Sequence, residues 1–466
     1  MLDYITIGLY LVAMIGIGIW ASKRIHNSKD FSVGNKSIGP FVIICSSIAT
    51  ASGAGTCMGQ AGSAYTNGFS ALWLVIAWAF GMAMLGVFSK RMYNTGANSV
   101  PEIFEKIHND TAGRVCAIFA LVYCFATLTS QMIAMGTVIE LMFGNSAVGY
   151  QLAVLIGGTI TILYTLQGGF YAVAYTDMAQ TIILGVCLLI VLPFIIMSGV
   201  AETSLEMIDS VMTAGTFDLM DGISLTALAV VICKYTFSAC TGIPYIQRVL
   251  AARNAKEAVS NQFYAAAGYC IFGGIVMILA VYARVFFPTI DRPETIIVQV
   301  IVQKFPVILA GLGISGLIAG VMSTVDSYLL VISQMFSHNI CGWFMKDMTD
   351  EKEFKIQRIT TVVAGVVTMA IALFMTSILT VFEFGATIYS SAMFFPFILS
   401  LYWKKITATG TVSGMCVGGI VAIILQMFPI AGTDAVLVGN FTALVATVAV
   451  SLATQNSKID RQMERT

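Results

Sequence analysis

Apolar runs of about twenty residues recur from one end of this chain to the other, and about twenty mostly apolar residues are what a helix needs to cross the hydrocarbon of a bilayer. Composition leaves no alternative to a membrane setting. Of 466 residues, 58% are hydrophobic and 10% are charged, whereas soluble domains carry about 25% charged residues. The mean hydropathy is +0.88. A chain of this size has too little polar surface to fold in water. It is therefore read as a polytopic, all-α membrane protein, in which the bilayer rather than one core organises the fold.

About thirteen spans are read this way. They lie near 3–22, 40–63, 71–89, 113–143, 150–167, 172–198, 223–248, 259–286, 307–340, 357–378, 380–402, 407–428 and 434–453. Spans 4 and 9 are over-long, which predicts tilt. Charge gives an orientation, because cytoplasmic loops collect Lys and Arg. Lys23, Arg24, Lys29, Lys36, Lys90, Arg91, Lys106, Arg114, Arg248, Arg253, Lys256, Lys346, Lys352, Lys355, Arg358, Lys404, Lys405, Lys458, Arg461 and Arg465 cluster after odd-numbered spans. Arg284, Arg292 and Lys304 lie on the other side, and Lys234 falls inside a span. The loop at 199–222 holds acids and no base. The N-terminus is thus expected outside and the C-terminus in the cytoplasm of a cell (plasma or cytoplasmic) membrane.

Several function classes drop out. The formal net charge is zero, which disfavours nucleic acid as a partner. No loop is long enough for a tethered soluble domain, which excludes a receptor kinase. The first apolar run starts without a basic region before it, so it reads as a span rather than a secretory leader. The ten cysteines form no CxxC and have no histidine-rich company, so free buried thiols are expected. No metal cluster, nucleophile elbow or phosphate loop points to an enzyme.

Two spans read as broken. Span 2 contains CSSIATASGAGTCMGQAGSAY, and span 7 contains YTFSACTGIPYIQR with Gly242 and Pro244 close together. Unwound backbone at membrane depth is tolerated only where protein or a water-filled cavity satisfies it. Paired interruptions at matching places in two halves point to an inverted-repeat transporter. The alternative is close helix packing through small residues.

Polar residues at membrane depth are few and specific. STVDSYLL, Ser323 to Leu330, sets Asp326 among hydroxyls in the long apolar stretch of span 9. Such a charge costs roughly +2.5 to +3.5 kcal/mol at a helix centre, so a partner charge, a proton or a cation is expected beside it. Positions 323, 326 and 327 share a helix face. GGFYAVAYTDMAQ, from Gly168 to Gln180, places Asp177 about two turns into span 6. That acid either serves a site or pairs with a base near the inner interface. Lys234 lies halfway along span 7, too deep to snorkel easily. It either meets a carboxylate on a solute or pairs with an acid. Gln131, Thr129, Tyr235, Ser238, Thr241, Tyr389 and Ser390 are further polar residues in apolar spans, each able to bond the preceding turn instead of a ligand.

These motifs resemble the sodium:solute symporter family, which includes the proline, pantothenate, sialic acid and sodium–glucose carriers. GGFYAVAYTDMAQ matches its GG-x-x-AV-x-x-TD-x-x-Q signature and STVDSYLL its ST-x-DS-x-LL stretch. NKSIGPF at 35–41 and IQRVLAARNAKEA at 246–258 match its loops. The resemblance implies a LeuT-type core of two inverted five-helix repeats, here 40–198 and 223–402. Helix 1 would flank the core, with two more flanking helices at 407–453 and a cytoplasmic tail at 454–466. It implies a sodium site between spans 2 and 9, with the carbonyls of Ala49, Ser52 and Gly320 and the hydroxyls of Ser323 and Thr324 as ligands. Some relatives use a second site, whose positions match Asp177, Ser323, Asp326 and Ser327. Here the outcomes are a second Na+, a shared proton, an acid paired with a base, or a buried link between spans 6 and 9. The resemblance also places the Lys234 stretch of span 7 beside the solute cavity, with Tyr235, Ser238, Thr241, Gln131 and Tyr389 as further substrate candidates.

Two departures restrict the solute. Proline carriers have an acid at the position of Ala51, and sugar carriers have aromatic residues at Ser238, Ala239 and Cys240. The expectation is a sodium-coupled symporter importing a small organic solute, a carboxylate or amino acid. The alternatives are a proton-coupled carrier and a non-transporting sensor or channel-like member.

Overall fold

The computed structural model describes residues 2–22, 36–143, 149–166, 169–202, 216–345 and 348–455. Gly168 and the charges expected at Lys23, Arg24, Lys29, Lys346, Lys458, Arg461 and Arg465 lie outside the described residues, as does most of the 454–466 tail. The described chain is helical. In order it forms α1 (Leu2–Ser22), α2 (Pro40–Ala51), a π-helical turn (Gly55–Gln60) running into α3 (Ala61–Asn67), α4 (Leu72–Asn94), α5 (Val100–Ile107), α6 (Asp110–Phe143), α7 (Tyr150–Thr165) and α8 (Gly169–Glu202). There follow α9 (Leu225–Cys240), α10 (Ile243–Leu250), α11 (Ala255–Tyr282), α12 (Ile296–Lys304), α13 (Val307–Gln334), α14 (Asp350–Ala372), α15 (Ile378–Tyr402), α16 (Ala408–Met427) and α17 (Ala435–Thr454). Ten helical stretches among the described residues are long and apolar enough to cross a membrane, and the shorter apolar helices are Ile5–Trp20, Pro40–Ala51 and Tyr150–Leu163.

Loop residues start several helices by capping free N–H groups. The Ser224 side chain accepts from Ala227 N–H, Asn254 from Glu257 N–H, Thr407 from Gly410 N–H, and Asp434 from the N–H groups of Val436 and Leu437. The C-terminal pair α16 and α17 pack on each other and on α15. Their contact runs along a small-residue stripe. A Cβ at Gly410, Gly414 or Gly418 would lie within 2.6 Å of Ser451, Thr447 or Ala443, the close backbone approach that stabilises helix pairs in lipid. α1 sits outside α8 and α13. His108, at the end of α5, bonds Ser400 of α15 and Thr411 of α16 at 2.7 and 3.1 Å. Burial pushes its imidazole down to about 4, so it ties these helices together as a neutral ring. All ten cysteines are free.

The breaks fall inside spans 2 and 7, near the middle of span 2 and in the last third of span 7. α2 ends at Ala51 and the helix resumes after Ser52 and Gly53. α9 ends at Cys240 and α10 starts after Thr241 and Gly242, with Pro244 in its first turn. Proline there lacks a donor that the first turn leaves unbonded anyway. The first break has no proline. It is held from outside: Ala54 N–H donates to Gln131 Oε1 of α6 at 2.9 Å, and Thr324 Oγ1 of α13 donates to Thr50 O at 3.1 Å. Gly53 sits where a Cβ would come 2.2 Å from Thr324 Oγ1 and 2.9 Å from Gln131 Oε1.

That crowding makes a test. Gly53→Ala should destabilise the protein by about 1–3 kcal/mol through overpacking, read as a lower melting temperature in detergent. Gly55→Ala, whose Cβ would meet nothing within 4 Å, should melt near the wild type. Equal melting of the two variants would contradict the packing.

Candidate functional site

The five candidate ligands of the first sodium site lie where the end of α2 meets the middle of α13. Ser323 Oγ donates to Ala49 O at 3.1 Å and to Gly320 O at 2.9 Å. Thr324 Oγ1 is 3.2 Å from Gly320 O. Ser52 O would be 2.7 Å from a Cβ at Gly320, so only glycine lets this carbonyl approach α13. Ser52 Oγ is buried without a hydrogen-bond partner. The structure thus brings Ala49, Ser52, Gly320, Ser323 and Thr324 to one place. The donor set is neutral oxygen throughout, at the negative end of a half-helix, and suits a hard monovalent cation.

One helical turn further along α13 the chemistry changes. Arg248, at the end of α10, is fully buried beneath the break. Its Nη2 lies 2.9 Å from Asp177 Oδ2 and 2.7 Å from both Thr50 Oγ1 and Ser327 Oγ. Its Nε donates to Ser46 Oγ at 2.8 Å, and Nη1 to Pro244 O at 2.9 Å. Ser46 Oγ in turn donates to Asp177 Oδ2 at 2.5 Å. This corrects the reading of Arg248 as a loop charge. The guanidinium is inside because its donors meet two hydroxyls on α2, a carboxylate on α8, a hydroxyl on α13 and its own helix's carbonyl. Asp177 is here paired with a base, one of the outcomes left open for it.

Asp326 takes a different partner from the one expected. Thr165 Oγ1 of α7 donates to its Oδ1, while Oδ2 has no hydrogen-bond partner. The link therefore runs from α13 to α7 rather than to span 6. Ser327 Oγ serves Arg248 and lies 3.0 Å from Thr50 Oγ1.

A small cavity opens beside the first break. It is lined by Thr50, Gly53, Thr56 and Gln60 of the broken helix, with Trp78, Thr127, Gln131, Tyr245, Thr324, Tyr328, Leu379 and Phe382 around it. No charged side chain is among these. Trp78 packs against Phe382 at 5.8 Å and edge-on against Tyr245 at 6.1 Å between ring centroids. Of the expected substrate residues, Gln131 alone is in the lining. Thr241 Oγ1 returns to Phe237 O, Thr129 Oγ1 to Phe125 O and Ser390 Oγ to Thr387 O, all within their own helices. Ser238 Oγ donates to Ala386 O and Tyr389 OH to Thr241 O, tying α9 to α15. Lys234 Nζ is 3.1 Å from Glu383 Oε2, and Tyr235 OH donates to Glu383 Oε1 at 2.6 Å. Lys234 is therefore matched by an acid of this chain and stands outside the cavity lining. Sequence reasoning missed Trp78, Tyr245 and Phe382 because aromatic residues in apolar spans carry no mark of which way they face.

The buried pair predicts a non-additive cost. Arg248→Met should lower stability by about 3–5 kcal/mol, since it strands a buried carboxylate. Adding Asp177→Asn should recover part of that loss in thermal unfolding of the purified protein. Strict additivity of the two changes would overturn the pairing.

Comparison with known proteins bears on the family and the fold. The profile described as the sodium:solute symporter family matches residues 31–418. The osmoregulated proline transporter OpuE of Bacillus subtilis is 27% identical over 475 residues, covering 97% of this chain and 94% of that protein. The sodium/proline symporter of Escherichia coli is 25% identical over 480 residues, covering 96% and 92%. Among solved structures, a Na+-coupled sialic acid symporter in a substrate-bound outward-open state superposes with a TM-score of 0.84 at 19% identity, covering 97% of this chain and 98% of that one. Mhp1, a nucleobase-cation-symport-1 family transporter, superposes with a TM-score of 0.60 at 14% identity, covering 94% and 99%. The fold is that of the LeuT-type transporters.

Proposed function

The chain belongs to the sodium:solute symporter family and is a sodium-coupled symporter, and on that premise we propose how its own residues couple the ion to the solute. The observation that carries the proposal is the meeting of Ser323 and Thr324 with the carbonyls freed at the end of α2. Ala49, Ser52, Gly320, Ser323 and Thr324 hold one Na+ there. The ion replaces the hydrogen bonds that now join α13 to the break and so fixes the two halves of the fold, 40–198 and 223–402, against each other. The coupling is reciprocal: whatever factor sodium adds to solute affinity, solute adds to sodium affinity. Asp177, Ser327 and Arg248 close the path on the other side. Sodium leaves past Asp177 once Arg248 withdraws, and Asp177 stays balanced because one cation follows the other.

The solute sits in the cavity at the break. Its lining is aromatic and neutral, and the start of the resumed helix faces it at Gly53 and Gly55. A helix N-terminus favours a carboxylate, and Trp78, Tyr245 and Phe382 cover an apolar body. This supports a small zwitterionic amino acid, in keeping with relatives named for proline; the absence of an acid at Ala51 argues that the preferred solute differs from theirs. We place the protein in the plasma (cytoplasmic) membrane with its N-terminus outside and its C-terminus in the cytoplasm, following the distribution of Lys and Arg.

Uptake of a panel of amino acids and small carboxylates into proteoliposomes, with and without an inward sodium gradient, tests this directly. Ser323→Ala and Thr324→Ala should each raise the sodium concentration for half-maximal uptake about tenfold, the equivalent of about 1.4 kcal/mol. Uptake indifferent to sodium in wild type and variants alike would refute the site. For the solute, Phe382→Ala should raise KM at least several-fold with sodium dependence unchanged, and an unaltered KM would move the solute elsewhere.

A further inference from the structure

The ion pair Lys234–Glu383 stands apart from both the sodium site and the cavity lining. α15 presents Leu379, Phe382 and Glu383 at i, i+3 and i+4, so the three share a face. Phe382 lines the cavity, Glu383 lines a separate vestibule, and Leu379 lines both. The rest of the vestibule comes from the resumed helix at 59–66, the 291–294 loop, and residues 376, 377 and 380 at the start of α15. Helix α15 is thus the wall between the two spaces, and Glu383 stands on its vestibule side. The Glu383 carboxylate is gripped from one direction only. Lys234 Nζ at 3.1 Å and Tyr235 OH at 2.6 Å both come from α9. The Tyr235 ring packs edge-on against Trp78 at 6.2 Å, and Trp78 contacts Phe382. One carboxylate therefore joins two helices and sets two rings of the cavity wall.

From this arrangement we infer that Glu383, held by Lys234 and Tyr235, is a latch: a positioning residue that keeps the wall of Leu379 and Phe382 closed between vestibule and cavity. The inference rests on the cavity being the solute site. Release of the carboxylate frees the start of α15 to swing from α9, which opens the cavity to the vestibule. The pair suits a reversible latch because it is only partly enclosed, at 16% and 31% exposure, and Glu383 lines the vestibule. Parting it costs less than breaking a fully buried pair. Glu383→Gln keeps the shape and weakens the grip, and Lys234→Glu with Glu383→Lys restores it with the charges exchanged.

The test needs no knowledge of the solute. Thr127 lines the cavity and is buried, so a Thr127→Cys reporter in purified protein reads how often the wall opens. A small water-soluble methanethiosulfonate is the probe, and modification of the same protein without the reporter is subtracted. Glu383→Gln should raise the modification rate of the reporter about fivefold or more, and the charge exchange should return it to within about twofold of the parent, on the logic that one pair couples the two sites. Tyr235→Phe, which leaves the ion pair but removes one grip, should give an intermediate rate and serves if Glu383→Gln does not reach the membrane. In uptake, Glu383→Gln should raise KM while leaving Vmax within about twofold, since early escape of solute weakens binding more than turnover. An unchanged modification rate in Glu383→Gln, or a charge exchange that fails to restore it, overturns the latch. Faster modification in a protein that transports nothing with sodium would keep the latch and remove the proposed function.

Discussion

A single guanidinium, buried beneath the break that follows α2, is the contact on which the arrangement of four helices of the bundle depends. Arg248 reaches Ser46 and Thr50 on α2, Asp177 on α8 and Ser327 on α13 while it sits on α10. A buried charge pair of this kind adds little stability over an apolar replacement, yet losing one partner is costly. That asymmetry suits a carrier. The pair penalises any packing in which its two halves are mismatched and so restricts the helices to a few discrete positions. Its donors are nearly all used, which fixes orientation as well as distance.

Above it, the break itself is maintained by groups on other helices. Gly53 has no Cβ because Thr324 and Gln131 occupy that space. Gln131 supplies the acceptor that Ala54 N–H would have had in an unbroken helix, and Thr324 gives a donor to Thr50 O. The candidate sodium ligands and the cavity lining therefore share residues: Thr324 belongs to both, and Thr50 touches the cavity, the break and Arg248. With ion and solute at the proposed sites, their coupling needs no long path through the protein, because the two places meet in one unwound turn.

The legibility of these features in the sequence followed their chemistry. STVDSYLL announced Ser323 and Thr324 because hydroxyls and a carboxylate are conspicuous in a long apolar stretch, and the glycine-rich span 2 announced the break. Lys234 was conspicuous for the same reason, but a lone charge does not state its partner. Glu383, 149 positions away along the chain, is separated from it by several helices and the loops that join them. Arg248 was misjudged for a related reason: a base near the end of an apolar run looks like a loop charge unless the helix is known to be broken and re-aimed inward.

What the sequence alone determined is the solvent in which the chain folds, the rough extent of its apolar helices, and the family to which the chain belongs. Each of these depends on local composition or on residues close together along the chain. Only the tertiary structure decided that Arg248 pairs with Asp177, that Asp326 answers to Thr165, and that Lys234 belongs to Glu383. It also decided which aromatic residues enclose the cavity. The reason is physical: in a membrane every helix is apolar on most of its surface, so periodicity does not mark the inward face. The partner of a buried polar group is then set by how the helices cross, which no short stretch of sequence encodes.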